Sequence, residues 1–352
     1  MWRRNLRRKP GNSAREVARF TPRSNALEIK IAGAGLIGRM LGWHFLRRGD
    51  DVIVYEKDDE FEPTSAAYVS ASMLAPQSER PESDATVWQM AIESLRIWPE
   101  WLEGLNVPYG MDGSIVVAHP GDESLLRKFE SSLKRHKVGA FRNLTRVEIR
   151  ELEPALADRF DHGILLELEG WLDNRSLLNE LGSRCGTVNY NHSVSPHELN
   201  ADLVLDCRGV GSDDPELRGV RGEVIRLHAP TVHLSRPVRL LHPRYRLYVS
   251  PRCRDQYVIG ATQLESEFRG AVTVQSALEL LTAAYTIHDG FEEAEIVELK
   301  AGLRPAYPDN TPRVTWRNGV LSVNGLYRHG FLIAPAVVGA VSKEVRKLFA
   351  YS

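Results

Sequence analysis

The tightest constraint on this chain lies near its start, where Gly33, Gly35 and Gly38 repeat as G-x-G-x-x-G. Residues 28–32 read as a strand that runs straight into these glycines, and residues 39–48 read as a helix. Met40, Leu41, His44 and Phe45 fall on or near one side of that helix, and Gly49-Asp50 is a turn. Residues 51–56 then form a second strand. Strand, tight turn, helix and strand in this order are the context that a dinucleotide fingerprint requires. Gly33 permits the turn, Gly35 lets backbone approach a pyrophosphate, and Gly38 lets helix and strand pack closely. The helix N-terminus offers N–H groups and partial positive charge to phosphate. Glu56 stands 18 residues after Gly38, where its carboxylate can accept from a ribose hydroxyl. An acid there disfavours a 2′-phosphate, so FAD or NAD is expected rather than NADP.

The rest of the chain changes character. Helices are expected over 84–105, 122–137, 145–152 and 173–185, with strands at 114–118, 163–168 and 202–206. Trp88, Trp98 and Trp101 in the first of these helices read as core packing. From Arg221 the pattern turns to strands, at 223–228, 238–242, 246–250 and 257–261, which is the signature of an antiparallel sheet. A helix at 274–287, strands at 295–300 and 320–323, and a last helix at 334–349 with Pro335 in its first turn complete the chain. The expected fold class is α/β, a Rossmann-like FAD-binding domain interleaved with an α+β substrate domain built on an antiparallel sheet. The first is assigned 26–80, 143–219 and 301–352, and the second 81–142 and 220–300.

Charge and composition narrow the function. The 352 residues are 43% hydrophobic and 26% charged, which excludes fibrous and wholly disordered chains. Residues 1–24 hold eight Arg and Lys against Glu16 alone, leaving 37 basic and 45 acidic residues in the body. An acidic body does not suit nucleic acid, and none is expected as partner. Residues 1–25 read as a basic, disordered extension, and the absence of an apolar stretch after Arg3-Arg4 argues against a signal peptide. Cys185, Cys207 and Cys253 are odd in number and widely spaced, and the eleven histidines show no paired spacing. No disulfide framework or metal site is expected, and a reducing compartment, the cytoplasm, follows. No apolar run is long enough to span a membrane.

Three further motifs stand out. The small residues Ser70-Ala71-Ser72-Met73-Leu74-Ala75-Pro76 suit backbone passing close to a flat ring, or a plain surface loop. In Ala301-Gly302-Leu303-Arg304-Pro305 the arginine stands between a glycine and a proline, ready to fork a carboxylate or to make a surface ion pair. The run from Gly325 to Pro335 gathers glycines and apolar residues around Arg328 ahead of a helix. Within it His329 reads as a hydrogen-bonding group.

In combination these motifs resemble the D-amino-acid-oxidase-like flavoproteins, and among them the glycine oxidases of thiamine biosynthesis. The resemblance covers about Glu28 to Leu348. It is strongest in the fingerprint, in 70–76 with Glu79 following, in 245–251 with Val258-Ile259-Gly260-Ala261-Thr262, and in the two C-terminal motifs. It implies non-covalent FAD, contacted by Gly33, Gly35, Leu36, Ile37, Gly38, Glu56, Lys57, Ala66, Ala67, Ala71, Ser72, Met73, Val194 and Leu326. Tyr327, Arg328, His329, Gly330, Phe331 and Leu332 complete that set. It also implies that Arg304 grips the substrate carboxylate, that Arg328 contacts the substrate and that Tyr248 faces the carboxylate. The implied reaction is oxidative deamination of glycine or a similar small amino acid, with hydride passing to flavin and O2 reduced to H2O2. The imine would supply the thiazole of thiamine. A homo-oligomer is implied by resemblance alone. Departures from the family pattern are Tyr68 and Val69 in the first small-residue loop, His329 after Arg328, Gln263 at the pocket and Arg246 beside Tyr248. They leave open a flavin dehydrogenase for a D-amino acid, sarcosine or proline, a tRNA-modifying oxidase, and a non-catalytic flavin-binding protein.

Overall fold

Strand β1 (Glu28–Ala32), helix α1 (Leu36–Arg48) and strand β2 (Asp51–Tyr55) follow in the expected order, with the helix starting three residues earlier than the sequence reading and β2 ending one residue sooner. The computed structural model describes residues 26–243 and 246–350. The basic segment 1–25, Tyr245 and the side chain of Arg246 lie outside the described residues. A six-stranded sheet is built around β1, in the order Arg313–Arg317, Val320–Asn324, Leu203–Asp206, β1, β2, Thr187–Asn189. All its neighbours run parallel except Arg313–Arg317, which is antiparallel to Val320–Asn324. Parallel strands covered on both faces need apolar residues throughout. Accordingly Ile29, Ile31, Val54, Leu205 and Leu321 are all fully buried.

An eight-stranded sheet makes the second body. Its order is Glu295–Ala306, Arg218–His228, Gln256–Gly260, Arg246–Pro251, Val238–Leu241, Ser114–Ala118, His162–Leu166, Phe141–Thr145. It is antiparallel except where Val238–Leu241 meets Ser114–Ala118. Two boundaries read from the sequence move here. Phe141–Thr145 and His162–Leu166, placed mostly with the nucleotide-binding part, belong to this sheet. The strand expected to stop at residue 300 continues through Arg304 to Ala306. It lies at the edge of the sheet, the one place a strand tolerates Pro305. A three-stranded sheet of Met73–Leu74, Gly170–Leu172 and Tyr109–Gly110 pins the small-residue stretch.

The last helix also differs from expectation. It begins at Gly330, so Pro335 lies inside it and not in its first turn. A proline there has no N–H for the carbonyl four residues back. That carbonyl, Phe331 O, accepts instead from the indole Nε1 of Trp98 at 2.9 Å. One residue on, the Ala336 N–H donates to Ser94 Oγ at 3.1 Å. Ser94 and Trp98 are four apart on helix Ala85–Leu102, so they share the face that meets the defect. Both are fully buried.

Trp98→Phe keeps the ring and orphans the Phe331 carbonyl. It should lower unfolding free energy by about 1–3 kcal/mol in denaturant titration.

Candidate active site

The first strand turn brings three backbones together. Gly33 has φ +99°, and a Cβ there would stand 2.6 Å from Cys207 O. A Cβ on Gly38 would stand 1.9 Å from Gly33 O. Gly35 faces open space. Glu56 ties the turn to the end of β2, accepting from the Ala34 N–H at 2.7 Å and the Asp58 N–H at 3.1 Å. Helix α1 starts with no side-chain cap, so its first N–H groups stay available to a ligand.

A cleft of about 370 Å³ opens from this turn. Gly33, Gly35, Leu36, Ile37, Glu56 and Lys57 line it from the first βαβ unit, and Ala66, Ala67 and Ala71 from the next segment. Val194 joins them, with Leu326, Tyr327, Arg328, Gly330 and Phe331 from the C-terminal loop and helix start. Gly38 lies behind the turn, where it keeps α1 close. A second chamber of about 420 Å³ adjoins the cleft, and Ser72, Met73, His329 and Leu332 line that chamber instead. Arg304, Arg328 and Tyr248 line both spaces. Three residues scattered over the sequence thus meet where the two cavities join.

Arg304 reaches that place because two glycines face each other beside it. Gly302 pairs with Gly222 across the strands, and a Cβ on Gly222 would stand 2.2 Å from Arg304 Nη2. The guanidinium lies in the space so left, donating to Thr262 O at 3.0 Å and Arg221 O at 3.3 Å. Burial lowers its pKa from the ordinary arginine value, yet guanidinium stays charged in proteins. Burial raises the Tyr248 phenol, so it is a neutral donor at physiological pH. For Arg328, burial works against the charge, but Glu79 and Glu82 hold the pKa above the ordinary value. Burial, offset in part by Glu79, pushes His329 down to about 4, with Arg328 and Arg304 adding to the fall.

Several lining residues carried no sequence signal of their own. Cys207, Arg208, Gly209, Val210 and Gly211 form a second glycine turn opposite Gly33, right after Leu203–Asp206. Arg208 is fixed by Asp206 at 2.9 Å, and Asn324 donates to Gly209 O at 2.9 Å. A glycine turn straight after an apolar strand was the available clue. Glu82 was hidden by distance, since it meets Arg328 across 246 residues of chain. Tyr68, noted as an intrusion, is held outside the cleft between Arg175 and Lys300, at 4.1 and 4.8 Å from its ring. Val69 does line the cleft and packs under Gly302.

The residues present fit FAD. An uncapped helix start and an open Gly35 suit a pyrophosphate, Glu56 suits a ribose, and small or apolar side chains at Ala71, Val69, Val224 and Leu303 suit a flat ring. A dinucleotide cleft that opens onto an arginine-lined chamber suits an FAD-dependent oxidoreductase. The model of the DAO family, FAD-dependent oxidoreductases, matches residues 28–341, and the chain belongs to that family. A Rhizobium etli protein assigned by inference to thiamine biosynthesis as the oxidoreductase ThiO is 37% identical, over 91% of this chain and 96% of its own. A glycine oxidase of Geobacillus kaustophilus is 26% identical, over 88% and 90% of the two chains. The crystal structure of glycine oxidase from that organism shares the fold, with TM-score 0.77 and 22% identity over 92% and 95%.

Two measurements follow from this geometry. Gly222→Ala should leave folding intact, because the clashing atoms end a flexible side chain, but it should displace Arg304. Affinity for a small carboxylate, titrated on the FAD-loaded protein, should fall about tenfold or more. The lowered pKa of His329 also has a sign. As pH falls from 6.5 to about 4 the unfolded chain takes up the proton first, so stability is lost across that window. Melting curves from pH 7 to pH 4 should decline less steeply for His329→Asn, by about 3 kcal/mol at most.

Proposed function

We propose that this protein is an FAD-dependent oxidase of glycine or a similarly small amino acid, forming the imine used for the thiazole of thiamine. The observation that carries the reading is the meeting of Arg304, Arg328 and Tyr248 at the join between the cofactor cleft and the chamber. Similarity to the Rhizobium ThiO and to glycine oxidase supports it. Bound FAD would accept hydride from the substrate Cα–H and pass two electrons to O2, giving H2O2.

The chain's own residues do the positioning. Arg304 takes the substrate carboxylate, because its charge is held by two carbonyls and no carboxylate pairs with it among the described residues. Tyr248 donates a further hydrogen bond to it. Fixing the carboxylate fixes Cα, which is catalysis by orientation. The buried cation also lowers the pKa of the neighbouring substrate ammonium, so the neutral amine forms without a dedicated base. The C-terminal helix starts at Gly330 on the cleft wall, and its N-terminal dipole favours negative charge there. Four alanine-sized or smaller positions, Ala66, Ala67, Ala71 and Gly302, keep the cleft narrow and flat. No helix among the described residues is long and apolar enough to cross a membrane. Its free cysteines support a place in the reducing cytoplasm.

The test is spectroscopic. The yellow holoprotein should bleach when glycine is added without oxygen, and should recover its colour and release H2O2 on admission of air. Arg304→Ala should still bind FAD but lose about 100-fold in kcat/KM for glycine. A holoprotein that glycine cannot bleach sinks the substrate; recovery only with a quinone makes it a dehydrogenase.

A further inference from the structure

Arg328 does not face the chamber as a free cation. Its Nη2 meets Glu79 Oε2 at 2.6 Å and Glu82 Oε2 at 2.7 Å, and its Nη1 donates to Gln263 Oε1 at 2.8 Å. Its Nε is buried with no hydrogen-bond partner among the described residues. A guanidinium grips a carboxylate with two prongs, either Nε with Nη2 or Nη1 with Nη2. Both grips need Nη2, which donates to Glu82 and stands 2.6 Å from Glu79 Oε2. A substrate carboxylate that takes this Nη2 proton must displace Glu82 from it.

The two glutamates are not equally placed for this. Glu79 ends the short helix Pro76–Glu79, and its other oxygen accepts from the buried Arg239 at 3.3 Å. Its side chain is 17% exposed. Glu82 ends the 3-10 turn Arg80–Glu82 three residues on, and its side chain is 36% exposed. Both line the chamber. Water reaches Glu82 more readily, so its carboxylate is the one that gains solvation on leaving.

We propose that Glu82 is a resident competitor for the substrate carboxylate at Arg328, and so a determinant of substrate affinity. Glu79 fixes the arginine; Glu82 occupies the prong that the incoming acid must take. Arg304 takes the carboxylate directly, and the carboxylate's contact with Arg328 is an exchange of one carboxylate for another on that second cation. This weakens affinity for any small monocarboxylate and leaves the guanidinium neutralised between turnovers. The proposal rests on the amino-acid oxidase reading for its biological sense, though not for its test.

The test titrates the FAD-loaded protein with sodium acetate at constant ionic strength, following the flavin absorbance. Acetate should bind Glu82→Gln about two- to fivefold more tightly than the parent, the range of a part-exposed ion pair. Glu82→Ala should behave alike. In an Arg328→Lys background the effect of Glu82→Gln should vanish, because lysine offers no fork to compete for. Unchanged or weaker acetate binding in the Glu82 variants overturns the proposal. An effect that persists beside Lys at 328 also overturns it, since Glu82 would then act only as a distant charge. Glycine turnover is scored separately. If acetate binding tightens but glycine is not oxidised, the competitor stands and the substrate reading falls. If glycine is oxidised with unaltered KM and acetate affinity, the competitor alone falls.

Discussion

Everything in the site depends on backbone meeting backbone at the ends of parallel strands. Gly38 can rest on Gly33 O, and Gly33 on Cys207 O, only because no Cβ stands between them, with gaps of 1.9 and 2.6 Å measured from where one would be. Those contacts bring the β1 turn and the turn after Leu203–Asp206 side by side, and the cleft is the space they leave in front. Any side chain added there pushes α1 away from the sheet and closes the floor of the cleft. The binding surface is therefore a property of packing first and of polar chemistry second.

The second sheet solves a different problem, that of keeping cations buried beside an open chamber. Arg221 is held by Glu223 at 2.6 Å and by the carbonyls of Phe268, Gly270 and Ala271. It thereby clamps residues 268–271, whose Arg269 lines the cofactor cleft, and offers its own carbonyl to Arg304. Arg252, pushed by burial down to about 9, secures the small-residue loop through Ala71 O at 2.6 Å. Buried charges that lack partners are costly, so each arginine is tied to carbonyls or carboxylates. Arg304 is tied to carbonyls alone, and that difference leaves its charge for an incoming acid.

Much of this was legible in the sequence, and the pattern of what was not is instructive. The fingerprint was readable because its strand, helix and acid are contiguous and each has its own periodicity. Arg304 was singled out by its glycine and proline neighbours, but the reason it stands free is Gly222, eighty residues away and visible only as a strand partner. Glu82 had no local signal at all, since a glutamate on a short turn resembles any solvated residue. The boundary errors share one cause. Phe141–Thr145 and His162–Leu166 follow a helical stretch, and local order does not say which sheet a strand will join. Pro335 misled in the same way: as a local signal it marks a helix start, while tertiary contacts accommodate it six residues in.

That proline has a further consequence. Ser94 and Trp98 satisfy the backbone groups around Pro335 across two helices, so neither is neutral to change alone. Replacing the proline by alanine would offer Phe331 O a second N–H, which its two lone pairs can accept beside the Trp98 indole. Replacing Trp98 first would leave a dry carbonyl beside the cleft. Loss of Trp98 is thus the costly step, and the proline is what makes it costly. The proline makes Trp98 indispensable, a dependence that neither helix records on its own.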